Sequence, residues 1–260
     1  MRTEVITRDR AEDYRAEIAR VAGALRAGAL VVFPTETVYG LGANAALPEA
    51  MARLRAAKGR NDQPFTVHIG QPADARRSVP DAPVLVRRLA RRGWPGPLTL
   101  VCAVADPTKA EIAEVTPPAQ LAEIYHAGTV GLRCPDHPTA RELLVEAGVP
   151  VVASSANRTG QPPPMDCAEA LRDLDGVADH ALDGGPTPLR GASTIVEVRG
   201  RQWRLLRQGV LAERTIERMA RSEVLFVCTG NSCRSPLAEY VFRARLAEAL
   251  GVALGELAEE

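Results

Sequence analysis

The chain has 260 residues, 46 % apolar and 25 % charged, which suits a folded protein with one large domain or two small ones. Lys plus Arg and Asp plus Glu are equal at 32 each, so the zero net charge supplies no overall basic field to draw in nucleic acid. No apolar run reaches the roughly 18 residues that cross a bilayer, residues 1–4 lack the apolar core of a secretory signal, and five scattered cysteines fit neither a disulfide framework nor a zinc pattern; the expectation is a cytoplasmic protein with no membrane partner and no metal ligands of its own.

The spacing of Tyr14, Ile18, Val21 and Leu25 predicts a helix over residues 9–27, stopped at Gly28, followed by a buried strand at 29–33. That strand delivers the run Pro34-Thr35-Glu36-Thr37-Val38-Tyr39-Gly40-Leu41-Gly42. Two hydroxyls, a carboxylate and a phenol thus reach one rim, and two glycines would let backbone approach a ligand. Pro48 opens a helix over 48–57 that ends before Lys58-Gly59-Arg60. Residues 65–69 alternate as a strand containing His68, which suits either a ligand contact or a core histidine. A helix over 84–92 carries Arg87, Arg88, Arg91 and Arg92, a basic patch or a solvated face.

Residues 94–97 form a rigid turn, 98–104 a strand, and 128–133 another strand that ends at Arg133, for which Asp136 is one candidate partner. Trp94 is a core anchor or a stacking platform. A helix over 139–147 stops at Gly148, and a strand at 149–153 runs into Ser154-Ser155-Ala156-Asn157. Three prolines follow at 162–164, then a helix capped by Asp166 and running to about residue 174. Residues 193–198 and 202–206 read as a hairpin-like pair. Strands mixing with helices give an α/β fold with a twisted, mixed sheet.

Two cations flanking a glycine, as in Lys58-Gly59-Arg60 with Gln63 close behind, can straddle a polyphosphate, although the same triplet also makes surface turns. Ser155 and Asn157 at a strand end can hold phosphate or ribose oxygens, or can cap a helix. In order and spacing these pieces resemble the YrdC-like family of threonylcarbamoyl-AMP synthases. Supporting stretches are Trp94-Pro95-Gly96-Pro97-Leu98-Thr99, Gly131-Leu132-Arg133-Cys134-Pro135, Gly184-Gly185, Ser193-Thr194-Ile195-Val196 and Leu206-Arg207-Gln208-Gly209, so the resemblance covers residues 10–212.

The resemblance implies a sheet with an open concave cavity and an enzyme that joins L-threonine, bicarbonate and ATP, the last with Mg2+, into threonylcarbamoyl-AMP and pyrophosphate. It implies a downstream tRNA threonylcarbamoyl transferase as consumer of the product, and tRNA or double-stranded RNA as a partner, an RNA-binding module being the alternative reading. Lys58 and Arg60 would offset phosphate charge as the catalytic pair. Thr37, His68, Ala153 and Ser193 would contact threonine. Arg60, Gln63, Thr99, Ser155, Asn157, Pro163 and Arg207 would line the ATP site. The family often has Asn where this chain has Gln63, and can carry a cation just past the Thr99 strand, where Leu100-Val101-Cys102-Ala103 offers none.

A second unit begins late. Residues 211–221 read as a charged helix, 223–227 as a strand, 228–234 as a loop, and a helix starts at Ser235. The loop fits C-x5-R with Cys228 and Arg234, where converging N–H groups and a helix start would favour an oxyanion and a thiolate. Residues 223–260 resemble the beginning of a low-molecular-weight protein tyrosine phosphatase. That resemblance implies Cys228 as nucleophile, Arg234 as phosphate grip and Ser235 as a donor to the sulfur, with phosphatase activity as a further alternative. The aspartate acid of that family lies far towards its C-terminus, whereas the last aspartate here is Asp183. A strand–loop–helix of this length falls below the ~40 residues that fold alone.

Overall fold

A computed structural model describes residues 2–7, 13–59, 64–222, 224–230, 232–251 and 254. The chain divides into two compact units, residues 1–220 and 221–260.

The first unit is built on one sheet. In chain order its elements are β1 (Glu4–Thr7), α1 (Tyr14–Arg26), β2 (Val31–Phe33), β3 (Gly40–Asn44), α2 (Pro48–Lys58), β4 (Thr66–His68), α3 (Val84–Gly93), β5 (Leu98–Ala103), α4 (Pro118–Ile124), β6 (Thr129–Arg133), α5 (Pro138–Ala147), β7 (Val151–Ser155), α6 (Cys167–Leu174), β8 (His180–Asp183), β9 (Thr194–Arg199), β10 (Gln202–Arg207) and α7 (Glu213–Ala220). The strands join in the order β1-β8-β2-β3-β7-β4-β6-β5-β9-β10. Parallel pairs (β1–β8, β2–β8, β4–β6, β5–β9) mix with antiparallel ones (β2–β3, β3–β7, β4–β7, β5–β6, β9–β10).

Alternation along the strands sorts side chains to two faces. On one face Val31, Phe33, Val151 and Ala153 pack with Ile18, Val21 and Leu25 of α1 and with Leu143 and Ala147 of α5. On the other, Val32, Leu41, Val67, Leu100 and Val152 pack with α2, α3, α4, α6 and α7 through residues such as Leu54, Leu89, Ile124, Leu174 and Ile216. The starts of α2 and α6 are those the sequence predicts, whereas α1, expected from residue 9, begins at Tyr14. The Asp13 side chain caps the N–H groups of Arg15 and Ala16, Asp166 caps Glu169, and Pro48 occupies the first turn of α2. Of the helix expected from residue 9, residues 9–12 lie outside the described set.

Trp94 is a core anchor: it is buried and its indole N–H donates to the Leu98 carbonyl at 2.7 Å. Of the α3 arginines, Arg87, Arg91 and Arg92 are exposed, and two of the four also reach the backbone of α7. Arg88 donates to the carbonyl of Ala220, and Arg92 to those of Arg218 and Met219, so they satisfy the open C-terminal end of α7.

Three strands carry no clear sequence signal. β1 and β8 are four-residue edge-side strands, and β3 is the glycine-containing stretch Gly40-Leu41-Gly42-Ala43-Asn44. Gly42 faces Phe33 of β2, and a Cβ there would stand 2.9 Å from the ring. Gly40 pairs directly with Phe33, so the glycines are the groove into which the ring packs. α4 and the short 3-10 turns around it, between residues 107 and 128, are a further unpredicted region.

The second unit holds α8 (Arg234–Leu250), with the Phe226 ring 5.5 Å from that of Phe242. The strand expected at 223–227 does not form over residues 224–227, and Glu223 lies outside the described residues. Leu225, Val227 and Leu237 are exposed. Among the described residues, 224–227 join no strand, and apolar propensity alone does not make one.

Gly42→Ala is expected to destabilise the first unit by about 1–3 kcal/mol, as overpacking does. Adding Phe33→Leu should return much of that loss. Urea denaturation of the two variants checks it, and an unaltered midpoint for Gly42→Ala would show that the ring has room to move.

Candidate functional site

The sheet register assembles the site. His68 of β4 pairs with Arg133 of β6, Arg133 with Thr99 of β5, Thr99 with Ile195 of β9, and Ile195 with Arg207 of β10. Directly paired residues share a face, so these five side chains form a row across five strands. A parallel row holds Ala153, Thr66 and Gly131. Gly40 pairs with Ser155 beside them. A register irregularity between Leu205 and Arg207 sets Arg207 opposite Ile195, a bulge that re-aims a long side chain. The rows lie on the face shared with α1 and α5. There they floor a cavity of about 530 Å³ lined among others by Thr35, Tyr39, His68, Thr99, Arg133, Ser155, Gln161, Ser193 and Arg207.

A buried ion pair anchors one end. Arg133 and Glu36 meet at 2.9 Å with side chains only 6 % exposed. The second Glu36 oxygen accepts the Asp136 backbone N–H at 2.9 Å, so Asp136 contributes its main chain and Glu36, not Asp136, is the arginine's partner. Arg133 also donates to the Thr37 hydroxyl, Thr37 and Thr35 hydroxyls meet at 2.9 Å, and Thr35 donates to the Val38 carbonyl at 2.6 Å. Arg133 Nε is buried without a partner. A guanidinium so placed has donor capacity left for an anion. The Tyr39 phenol is tied back by the Gly185 carbonyl at 2.7 Å and the Gly184 N–H at 3.1 Å, and burial raises its pKa well above the ordinary value, so it is a neutral anchor.

His68 is a cavity residue and a buried one. Burial first, then the nearby Arg133 charge, pushes its pKa down to about 3. Its Nδ1 lies 3.0 Å from the Thr66 carbonyl, which can only accept, so the proton sits on Nδ1 and Nε2 carries a lone pair. The Phe33 ring packs edge-on at 6.0 Å. A base this weak cannot hold a proton near neutrality. It accepts a hydrogen bond.

At the other end the Ser193 hydroxyl meets Thr99 at 3.0 Å, and Arg207 donates to the Ser193 carbonyl at 2.8 Å and hydroxyl at 3.2 Å. The roof comes from the segment after β7. Asn157 Nδ2 donates to the carbonyls of Arg158 and Gln161 at 3.0 and 2.6 Å.

His68, Ala153, Ser193, Thr99, Ser155, Asn157, Pro163 and Arg207 line this one cavity. Thr37 stands one layer behind the wall, fully buried, and Thr35 is the hydroxyl at the surface. Lys58 is 1 % exposed and outside the lining; its ammonium donates to the carbonyls of Ser155 and Asn157. Arg60 and Gln63 lie outside the described residues. Arg133 is the site residue that the sequence reading left without a site role. Its signal was an arginine closing an apolar strand, Thr129-Val130-Gly131-Leu132-Arg133. Cys102, Cys134 and Cys167 have thiols pushed up to about 12 by burial and are inert. Among the described residues no cluster of side chains could hold a metal ion.

The family model Sua5_yciO_yrdC, described as "Telomere recombination", matches residues 23–209. The chain belongs to the Sua5/YciO/YrdC family. A threonylcarbamoyl-AMP synthase of Bacillus subtilis is 40 % identical over 204 residues, 77 % of this chain and 56 % of that protein. One of Pyrococcus abyssi is 37 % identical over 215 residues, 82 % of this chain and 59 % of that protein. A crystal structure of P. abyssi Sua5 complexed with L-threonine superposes with a TM-score of 0.72 at 34 % identity, covering 84 % of this chain and 61 % of that one. The chain therefore spans a little over half the length of these Sua5/YciO/YrdC relatives. Residues 223–255 match the low-molecular-weight phosphotyrosine protein phosphatase model. In that unit Arg234 lies 3.4 Å from the Thr229 hydroxyl, and the Ser235 hydroxyl is buried without a partner.

Two outcomes follow from the buried groups. Glu36→Ala should cost about 3–5 kcal/mol, because it strands a buried guanidinium, and Glu36→Ala/Arg133→Met should be more stable than the single variant. Guanidinium chloride denaturation decides it; a double variant weaker than the single one would refute the charge argument. For His68 the folded pKa is below the unfolded one, so its contribution is intact above about pH 6.5 and is lost as pH falls towards about 3. His68→Gln should gain on wild type by up to about 1.4 kcal/mol per pH unit across that window. Parallel stability curves from pH 7 to pH 4 would contradict it.

Proposed function

We propose that the cavity makes threonylcarbamoyl-AMP and pyrophosphate from L-threonine, bicarbonate and ATP. The observation that carries this is the row from His68 to Arg207, which sets a buried cation, a neutral acceptor and a hydroxyl–arginine pair around one hollow. The names of the B. subtilis and P. abyssi relatives and the threonine complex of P. abyssi Sua5 support the same reading.

In this reading Arg133 takes the amino-acid carboxylate, the role for which no cation stands beyond Thr99. His68 Nε2 accepts from the threonine amine, and Thr35 and Ser193 face its hydroxyl end. Bicarbonate takes up a proton and loses water to give CO2, the neutral amine adds to CO2, and the carbamate forms with release of a proton that balances the one consumed. A carbamate oxygen attacks the α-phosphorus, the bond from that phosphorus to the α,β-bridging oxygen breaks, and pyrophosphate leaves with that oxygen. Arg207 and Ser155 orient the nucleotide, with Asn157 shaping the segment above it. The protein's work is positioning and charge balance. No acidic side chain stands among the described residues that line the cavity, so Mg2+ would be held by the phosphates it arrives with.

The product is a mixed anhydride, which a cytoplasmic tRNA threonylcarbamoyl transferase would consume. A pure RNA-binding module is the weaker reading, since the α3 arginines Arg88 and Arg92 are committed to α7. Phosphatase activity is also weaker: residues 224–227 do not form the strand that would carry the Cys228 loop.

Pyrophosphate release that needs threonine, bicarbonate and ATP together is the expected result. Arg133→Met should lower it by on the order of a hundredfold or more, the scale of a lost charge-assisted contact in such a site. A chain ending at residue 220 should keep it, because every residue of the cavity lies in the first unit. Turnover in the absence of threonine would count against the reaction.

A further inference from the structure

Lys58 closes α2, and Gly59 turns the chain there in the left-handed region at φ +59°, a conformation suited to glycine. The lysine side chain does not follow the chain outwards. It runs inwards, and its ammonium meets the carbonyls of Ser155 and Asn157 and lies 3.4 Å from the Asn157 amide oxygen. A second tie runs the other way: the Thr159 hydroxyl donates to the Lys58 carbonyl at 2.7 Å. The end of α2 thus grips the segment after β7 at Ser155, Asn157 and Thr159.

That segment is the cavity's roof, where Ser155, Asn157, Thr159 and Gln161 contribute to the lining. A buried ammonium is tolerated only where oxygens replace its water, and carbonyl dipoles do so here. The same contact ties Ser155, the last residue of β7, to Asn157 in the irregular backbone that follows it.

We infer that Lys58 is a positioning residue: it sets the shape of the 155–161 segment that covers the nucleotide and does not itself bind phosphate. This rests on the cavity being a nucleotide site. The two ideas differ in what they predict for a neutral side chain of similar length. A phosphate contact is worth more the more phosphates the ligand has. A shaping role weakens every ligand that uses the roof.

Lys58→Met in the full chain tests this. In the ligand-free protein, amide exchange within 155–161 should quicken at least tenfold while the strands of the sheet keep their protection. Affinities for ATP, ADP and AMP by calorimetry should fall by one common factor, on the order of tenfold or more. The KM for ATP should rise while that for threonine stays near wild type, a split that general destabilisation would not give. Unchanged exchange at 155–161, or an affinity loss that grows from AMP to ATP, would overturn the assignment. Thr159→Val removes the second tie alone and should give the same pattern at smaller size, which decides the matter even if Lys58→Met does not fold. The exchange measurement stands whether or not the wild-type chain takes ATP, so a failure of the proposed reaction and a failure of this assignment can be told apart.

Discussion

The Glu36–Arg133 pair is the contact on which the site turns. Two opposite charges leave water together, and their attraction does little more than offset that loss, so the pair adds little to stability. Its effect is geometric. Glu36 sits on the connection between β2 and β3, and Arg133 closes β6, two strands that are not neighbours in the sheet. The pair, with the Asp136 N–H on the free carboxylate oxygen, draws that connection over the ends of the central strands. The Thr35 and Thr37 hydroxyls are ordered by the same guanidinium. A neutral substitute of equal size would fill the volume and lose the aim.

Much of this was readable in the chain. Helix limits at Pro48, Gly148 and Asp166 were legible because the local chemistry of these residues acts without help from the fold. Apolar strands such as 98–103 and 129–133 were readable for the same reason. What was hidden depends on partners distant in sequence. Gly40 and Gly42 look like a loop until Phe33 is set across from them. β8 is four residues, His180–Asp183, that become a strand only between β1 and β2. At the site, spacing brought out the hydroxyls and the cations but not which way they point. Lys58 reads as a phosphate cation because it stands beside Arg60, and its inward course depends on carbonyls about a hundred residues away. Arg133 reads as a strand-end residue because its partner Glu36 lies 97 positions earlier.

The second unit shows what a motif lacks without its frame. Cys228 and Arg234 keep the C-x5-R spacing, and α8 begins at Arg234. Yet among the described residues those leading to Cys228, 224–227, form no strand, and Leu225 and Val227 are exposed. Oxyanion grip needs N–H groups held convergent, and a strand pinned in a sheet is what normally holds them.

The end of α7 is fastened by α3. Three guanidinium–carbonyl bonds from Arg88 and Arg92 grip its last turn, and Gly93 leaves room for Met219 against α3. The carbonyls that end α7 are thus closed from within the first unit, so this helix terminus draws its hydrogen bonds from α3.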